Sequence, residues 1–232
     1  MSGYNYSLTT FSPSGKLPQI EYALTAVEQG TTSIGVRGAT SSVVVTERKA
    51  TPLTDGTTME RMSTVCDNIG LVYSGMGPDA RVLTTRARKA AQAYIRTYGE
   101  NPPVYMLVRE LASVMQEYTQ SGGVRPFGVS LLVAGVDSTG ASLYQVDPSG
   151  TSWAWKAAAV GKGMAGARSF LEKRWNEGLE VEDAVHTALL TMKEGFEGTM
   201  TKDNIEIGIA DEKTGGFTVL TLDEIQDYLS NL

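Results

Sequence analysis

The residues best suited to chemistry are two adjacent threonines, Thr31 and Thr32, which follow Gly30. A threonine at a mature N-terminus can act as a nucleophile because its own free α-amine takes the proton from the hydroxyl group. Glu47 and Arg61 follow along the chain and supply an acid and a cation that could tune that amine. This pattern is typical of an N-terminal threonine hydrolase.

Two features argue against a nucleophilic role for Thr31. The residue follows a segment with the pattern of an ordered tail and a helix, and an amide nitrogen inside a continuous chain cannot act as the base. Arg61 is also a poor replacement for a lysine that shuttles protons, because the pKa of arginine stays above about 12. A self-processed threonine peptidase that uses Thr31 is therefore one interpretation, and a protein without catalytic residues is the other.

Other candidate motifs are weaker. Gly161-Lys-Gly-Met-Ala-Gly166 matches the glycine pattern of dinucleotide-binding loops, but a helix follows where a dinucleotide site needs a second strand that ends in an acid. Packing or turn glycines are the favoured interpretation, and a nucleotide-binding enzyme is the alternative. His186 and Cys66 are the single histidine and cysteine, and we expect a surface or hydrogen-bonded helix residue and a buried thiol. We therefore expect no metal and no cofactor.

The composition excludes several classes of protein. The chain has 232 residues, 41% hydrophobic side chains and a net charge of −6 at pH 7. This length buries a core without disulfides, and the negative charge disfavours unaided binding to nucleic acid or to an anionic membrane. No secretory signal is visible, and no apolar run approaches the roughly 20 residues of a membrane helix. The sequence predicts one domain in the cytoplasm or nucleus, with no nucleic-acid or membrane partner.

The elements that must position these residues alternate between groups of strands and pairs of helices. Apolar residues recur at helical spacing at Leu17, Ile20, Leu24 and Val27. Gly30 is expected in the left-handed conformation where that helix ends. Strands are predicted at 33–37, 42–46, 69–74, 129–136, 142–146, 153–160, 204–209 and 217–220, and helices at 78–99, 101–118, 164–175 and 181–196, with a short last helix. Short polar turns between the strands favour antiparallel sheets with helices outside over a doubly wound parallel sheet.

Longer stretches of the sequence resemble one known family. Phe11-Ser-Pro-Ser-Gly-Lys-Leu-Pro-Gln-Ile-Glu-Tyr-Ala23 is similar to the N-terminal signature of proteasome α-type subunits. Further similar stretches are 74–81, 118–130, 147–150 and 161–162, so that the likeness covers essentially the whole chain. Two segments, 73–78 and 114–118, are similar to one member type in particular. The resemblance implies an α+β fold, the four-layer αββα sandwich of N-terminal nucleophile hydrolases, with antiparallel sheets between outer helices.

The resemblance also implies a function without catalysis. In this family the α subunits form a seven-membered ring on a β ring, and their N-terminal helix occupies the cleft where a β subunit holds its active threonine. Residues 1–12 would be a gate tail, 17–29 this helix and 31–232 the sandwich of a single domain. The chain would be a structural and gating subunit of the 20S core particle. There it would control substrate entry in ubiquitin-dependent protein degradation, in the cytoplasm and nucleus.

The gate residues implied by the resemblance lie near the start of the chain. The family's Tyr-Asp-Arg triplet, which holds neighbouring tails together, is matched here by Tyr4, Asn5 and Tyr6. The tyrosine is kept, and the charge pair that could lock adjacent tails is absent. The implied neighbours in the ring are the alpha type-1 and alpha type-3 subunits, and the ring would stack on β-ring subunits.

A second implied site receives activators. In the family, a lysine in a pocket between α subunits meets the carboxylate of an activator's C-terminal tail, whether of a regulatory particle or of another activator. The matching positions here are Gly30, Arg61 and Met76. Arg61 keeps the cation and can pair bidentately with a carboxylate, although its planar fork differs from an ammonium group.

Overall fold

Two stacked antiparallel sheets form the centre of the structure, a computed structural model that describes residues 10–49 and 53–232. Sheet A contains, in spatial order, β10 (Gly216–Val219), β9 (Ile205–Asp211), β2 (Ser41–Glu47), β1 (Ser33–Arg37) and β8 (Ala157–Val160). Sheet B contains β3 (Met62–Cys66), β4 (Ile69–Gly75), β5 (Val129–Asp137), β6 (Gly140–Val146) and β7 (Ser152–Ala154). Each strand pairs antiparallel with its neighbours.

The helices lie mainly outside the two sheets. In the described residues they are α1 (Pro18–Glu28), α2 (Gly77–Tyr98), α3 (Val104–Gln120), α4 (Met164–Arg174), α5 (Val181–Gly195) and α6 (Leu222–Ser230). One apolar core joins α2 and α3 to sheet B, and a second joins α4, α5 and α6 to sheet A. A third core lies between the sheets and includes Val44, Leu132 and Phe217. The predicted αββα order of layers is confirmed, and no helix in the described residues has the length and apolar character needed to cross a membrane.

One strand prediction is wrong, and one strand is missing from the prediction. The segment predicted as one strand at 153–160 is two strands in different sheets, because the chain crosses between the sheets at Trp155 and Lys156. The Trp155 N–H still donates to Leu143 of sheet B, whereas the Lys156 carbonyl already accepts from Arg37 of sheet A. The edge strand β3 was not predicted at all. Its pairing with β4 shifts register between Thr64 and the last residue of the strand, which hides any simple alternation.

Arginine side chains occupy backbone acceptors on two edge strands. The Arg88 Nε on α2 donates to the Thr64 carbonyl of β3, at 2.9 Å. The Arg168 Nε on α4 donates to the Ala159 carbonyl of β8, at 3.3 Å. These strands end sheet B and sheet A respectively, so one edge of each sheet carries a positively charged partner from a neighbouring helix.

Candidate functional site

The junction between α1 and β1 carries Gly30 and Thr31, and backbone contacts close it. The Gly30 N–H donates to the Val27 carbonyl at 2.9 Å, and the Gly30 carbonyl accepts from the Lys162 N–H at 2.8 Å. A Cβ on Gly30 would lie 2.3 Å from the amide nitrogen of Gly75. Gly30 has no positive φ, so the expected left-handed conformation is wrong. Glycine is required here by the close approach of another strand.

Gly161 closes the same junction from the end of β8. Its φ is +92°, and a Cβ there would lie 2.5 Å from the Thr31 carbonyl oxygen and 2.6 Å from Ser74 Oγ. Gly163 is also left-handed, at φ +80°, and α4 begins directly after it. The interpretation of Gly161 and Gly163 as turn glycines is therefore confirmed by their backbone conformation, whereas Gly166 lies inside α4.

Arg61 lies immediately before β3, and its side chain folds over Tyr73 of β4. The guanidinium carbon is 4.4 Å from the ring centroid, and Nη2 donates to the Tyr73 carbonyl at 2.9 Å. Burial lowers the pKa of Arg61 from its ordinary value, while the surrounding groups Tyr73, Glu206 and Glu47 act in the opposite direction. Arginine stays protonated in proteins, so the site presents a partly buried cation stacked on an aromatic ring.

Glu206, a residue that the sequence did not single out, fixes the backbone beside this cation. Its carboxylate accepts the Arg61 N–H at 3.3 Å to each oxygen and the Met62 N–H at 3.0 Å. The Glu206 side chain is only 12% exposed, and Arg48 Nη1 lies 3.9 Å from its Oε1. Burial raises the pKa of Glu206, against the N–H bonds and the charges of the two arginines. The carboxylate therefore links sheet A to the start of an edge strand in sheet B.

Met76 connects β4 to α2 and is 42% exposed. Its N–H donates to the Gly128 carbonyl at 2.9 Å, and its carbonyl accepts the Ala80 N–H at 3.1 Å. The Met76 side chain packs so closely on Gly128 that a Cβ there would lie 2.8 Å from the Met76 sulfur. This residue is thus fixed through its backbone while part of its side chain faces outward.

An ion pair holds the start of α2 next to Met76. Arg125 donates to both carboxylate oxygens of Asp79, at 2.6 and 2.8 Å, and the Gly128 N–H donates to Asp79 Oδ2 at 2.9 Å. Burial of the carboxyl acts to raise its pKa, but the hydrogen bonds from Arg125 and Gly128 and the charge of Arg125 together lower the pKa of Asp79. Asp79 is buried and stays ionised at neutral pH because these donors replace water.

The three residues of the predicted docking site gather at the end of β4. Gly30 packs against Gly75, Arg61 stacks on Tyr73, and Met76 directly follows the strand. An open groove of about 500 Å³ begins beside Tyr73 and runs along the first turns of α2. This groove is lined mostly by polar and charged side chains, including Glu60, Arg81 and Arg88. A cation, a partly exposed methionine and a polar groove therefore lie next to one another at the end of β4.

The remaining sequence candidates lie elsewhere or outside the described residues. The gate residues Tyr4, Asn5 and Tyr6 belong to the undescribed start of the chain. Cys66 is buried as expected, and burial raises the pKa of its thiol. His186 lies on α5 and is half-buried, and its buried Nε2 has no hydrogen-bond partner in the described structure. Within residues 10–49 and 53–232, no group of three or more His, Cys, Asp or Glu side chains could hold a metal ion.

Comparison with known proteins decides the family. The family described as Proteasome subunit matches residues 27–210, and the N-terminal signature of A-type proteasome subunits matches residues 4–26. The chain belongs to the proteasome subunit family. The signature places it among the α-type subunits, which are structural, so the predicted non-catalytic class is confirmed. The alternative of a β-type threonine peptidase that uses Thr31 is wrong.

Individual relatives agree over the full length of the chain. It is 56% identical over 231 residues to the alpha type-2 proteasome subunit of Dictyostelium discoideum, covering 100% of this chain and 99% of the relative. It is 56% identical over 232 residues to that of Oryza sativa subsp. indica, covering 100% and 98%. For Trypanosoma brucei brucei the identity is 54% over 233 residues, covering 100% of both. Alpha type-2 is also the type that segments 73–78 and 114–118 resemble.

Proposed function

We propose that the chain is a structural and gating subunit of the α ring of the 20S proteasome, where it controls substrate entry and docks activators. The A-type signature over residues 4–26 carries the proposal, because it spans the tail and most of α1. In this proposal residues 1–12 form the gate tail, residues 17–29 the N-terminal helix and residues 31–232 the sandwich of one domain. The particle would act in the cytoplasm and nucleus.

Exposed aromatic residues support a place between neighbouring subunits. Phe11 is 69% exposed and Tyr22 on α1 is 66% exposed, whereas Ala23 and Val27 on the same helix are buried. Aromatic side chains are enriched in the cores of protein interfaces. In the proposal these residues contact the ring neighbours alpha type-1 and alpha type-3, while the sandwich stacks on subunits of the β ring.

The corner around Arg61 supports activator docking. A cation that can form two parallel hydrogen bonds suits the terminal carboxylate of an activator's tail. Met76 is partly exposed nearby and offers a flexible apolar contact for the residue before that carboxylate. Gly30 completes the site by letting α1 approach β4 closely. Docking through Gly30, Arg61 and Met76 is thus proposed for the tails of a regulatory particle or another activator.

Deletion of residues 2–10 tests the gate. In the proposal, Tyr4 and Tyr6 contact neighbouring tails through their rings and hydroxyl groups, and Asn5 adds no charge pair. Particles that carry the deletion should hydrolyse short peptides faster than wild type without activator. The gain should be partial, because the tails of the other subunits remain.

A shorter deletion is the matched control for this experiment. Particles that lack only residues 2 and 3 keep Tyr4, Asn5 and Tyr6, so their basal rate should stay at the wild-type value. Native mass measurement establishes that the deleted chain is present in both particles. A wild-type rate for the longer deletion in fully assembled particles would refute the gating role.

A further inference from the structure

Glu206 bridges the two sheets at the backbone of Arg61, the residue whose side chain is the proposed docking cation. The residue lies on β9 of sheet A, and its carboxylate accepts two successive N–H groups, those of Arg61 and Met62. Met62 is the first residue of β3, which is the edge strand of sheet B. Among the described residues no further strand pairs with this side of β3, and the Glu206 carboxylate supplies the acceptor in its place.

The charges around Glu206 keep its carboxylate directed at this backbone. Arg48 approaches Oε1 from the end of β2 and is itself held by the Asp203 carbonyl, which accepts its Nε at 3.1 Å and its Nη2 at 2.9 Å. Glu60 and Arg88 line the same groove of about 440 Å³ as Glu206. The buried carboxylate is influenced by the charges of Arg48 and Arg61 and accepts two N–H groups, so it has few alternative orientations.

We propose that Glu206 is a positioning residue for activator docking, which holds the Arg61 backbone so that the guanidinium meets an incoming α-carboxylate. The inference rests on the proposed docking role of Arg61. A long side chain reaches a fixed target reliably only when its backbone and its stacking partner are both fixed. Tyr73 supplies the stacking surface, and Glu206 supplies the backbone anchor.

A Glu206→Gln variant in the assembled particle tests this role. The amide keeps the size of the side chain but replaces one acceptor oxygen with an NH₂ donor, which opposes the N–H groups and the two arginines. Glu212→Gln is the matched control. Glu212 follows the other end of β9, and its Oε1 accepts the Ala141 N–H of sheet B at 3.0 Å.

The probe is a photoreactive peptide with the C-terminal sequence of an activator, made once with a free carboxylate and once with a terminal carboxamide. The measured quantity is the peptide concentration that gives half-maximal crosslinking to this chain, normalised to the amount of chain incorporated. For the carboxylate peptide, Glu206→Gln should raise this concentration about tenfold, which corresponds to about 1.4 kcal/mol. The carboxamide peptide, and both peptides on Glu212→Gln particles, should be unaffected.

Each other outcome overturns either the proposed docking function or the positioning role of Glu206. If Arg61→Ala leaves crosslinking of the carboxylate peptide unchanged, the proposed docking function fails. If Arg61→Ala weakens it and Glu206→Gln does not, only the positioning role fails. An equal loss for carboxylate and carboxamide peptides on Glu206→Gln particles would show a general structural defect and would also overturn the inference. Should Glu206→Gln fail to assemble, Glu206→Asp keeps the charge but shortens the reach, and the same carboxylate-specific loss is expected.

Discussion

The corner around Thr31 and the corner around Arg61 both adjoin β4, and they are held in different ways. Around Thr31, backbone meets backbone, with glycines at positions where a single Cβ would overlap another strand. Around Arg61, side chains carry the contacts: a carboxylate from β9 and an aromatic ring from β4. The first corner is fixed by backbone contacts, and the second places a cation on an aromatic ring that also lines a groove.

This difference indicates which kinds of substitution each corner can tolerate. A corner closed by backbone and glycine tolerates few substitutions, because a side chain at Gly30 or Gly161 would overlap neighbouring atoms. A corner built from side chains can exchange one cation for another while the strand positions stay the same, and the proposed docking site would be such a case, with Arg61 where the family resemblance implies a lysine.

Gly30→Ala should have the largest effect, on the closed corner. The added Cβ would lie 2.3 Å from the Gly75 nitrogen and 2.5 Å from Ser74 Oγ, so backbone must move. Overpacking of this kind costs roughly 1–3 kcal/mol, and contact with backbone favours the upper end. Urea unfolding of the purified chain measures the loss. Gly122→Ala is the control, since nothing lies within 4 Å of its Cβ, and a similar stability for the two variants would contradict the closed corner.

Arg125→Met should have an intermediate effect, on the corner that presents Met76. It removes the two hydrogen bonds that Arg125 donates to the buried Asp79 carboxylate and leaves the one from the Gly128 N–H. Because the Arg125 side chain is 54% exposed, solvent screening limits the cost to about 1–2 kcal/mol at pH 7. The exposed Arg86 lies on α2, the helix that carries Asp79, and provides the control Arg86→Met, which should be nearly neutral in urea unfolding.

Acid titration separates this ion pair from simple packing. The pKa of Asp79 is lowered in the folded chain, so its contribution is present above the unfolded value of about 3.9 and is lost as pH falls through the folded value. The difference in unfolding free energy between wild type and Arg125→Met should therefore shrink below about pH 4. A difference that stays constant with pH would assign the loss to packing instead.

Thr31→Ala should have no effect on catalysis. Peptidase rates of assembled particles should equal wild type within error, because the Thr31 amide is part of an unbroken and tightly packed junction. A hundredfold loss at normal assembly would mark a residue used in the transition state and would reverse the comparison between the two corners.

The sequence predicts the elements whose signals are local. The helix from Pro78 to Gly99 has proline in its first turn and a left-handed glycine at its end, and both are observed. The strand switch at Trp155 escapes prediction because nothing in a run of strand-forming residues marks a change of sheet. Gly30 was assigned the wrong reason for being glycine, since its constraint comes from Gly75, far along the chain.

The residues of the candidate site were also only partly predicted from the sequence. Its cation and glycine were found through resemblance, which supplies long-range information that periodicity lacks. Glu206 was missed because it occupies a polar position in an alternating strand, where an exposed glutamate is the ordinary interpretation. Its partner N–H lies 145 residues away in sequence, and only the stacking of the two sheets brings them together.

Arg88 and Arg168 on the sheet edges affect how the chain behaves before it binds any partner. Identical copies of a newly synthesised chain meet one another before assembly. Unpaired edge carbonyls would allow these copies to pair strand to strand. Arg88 occupies the Thr64 carbonyl and Arg168 the Ala159 carbonyl, so each of these edges shows a like-charged group to its twin. We therefore expect the unassembled chain to resist fibrous self-association and to remain available for binding to its correct partners.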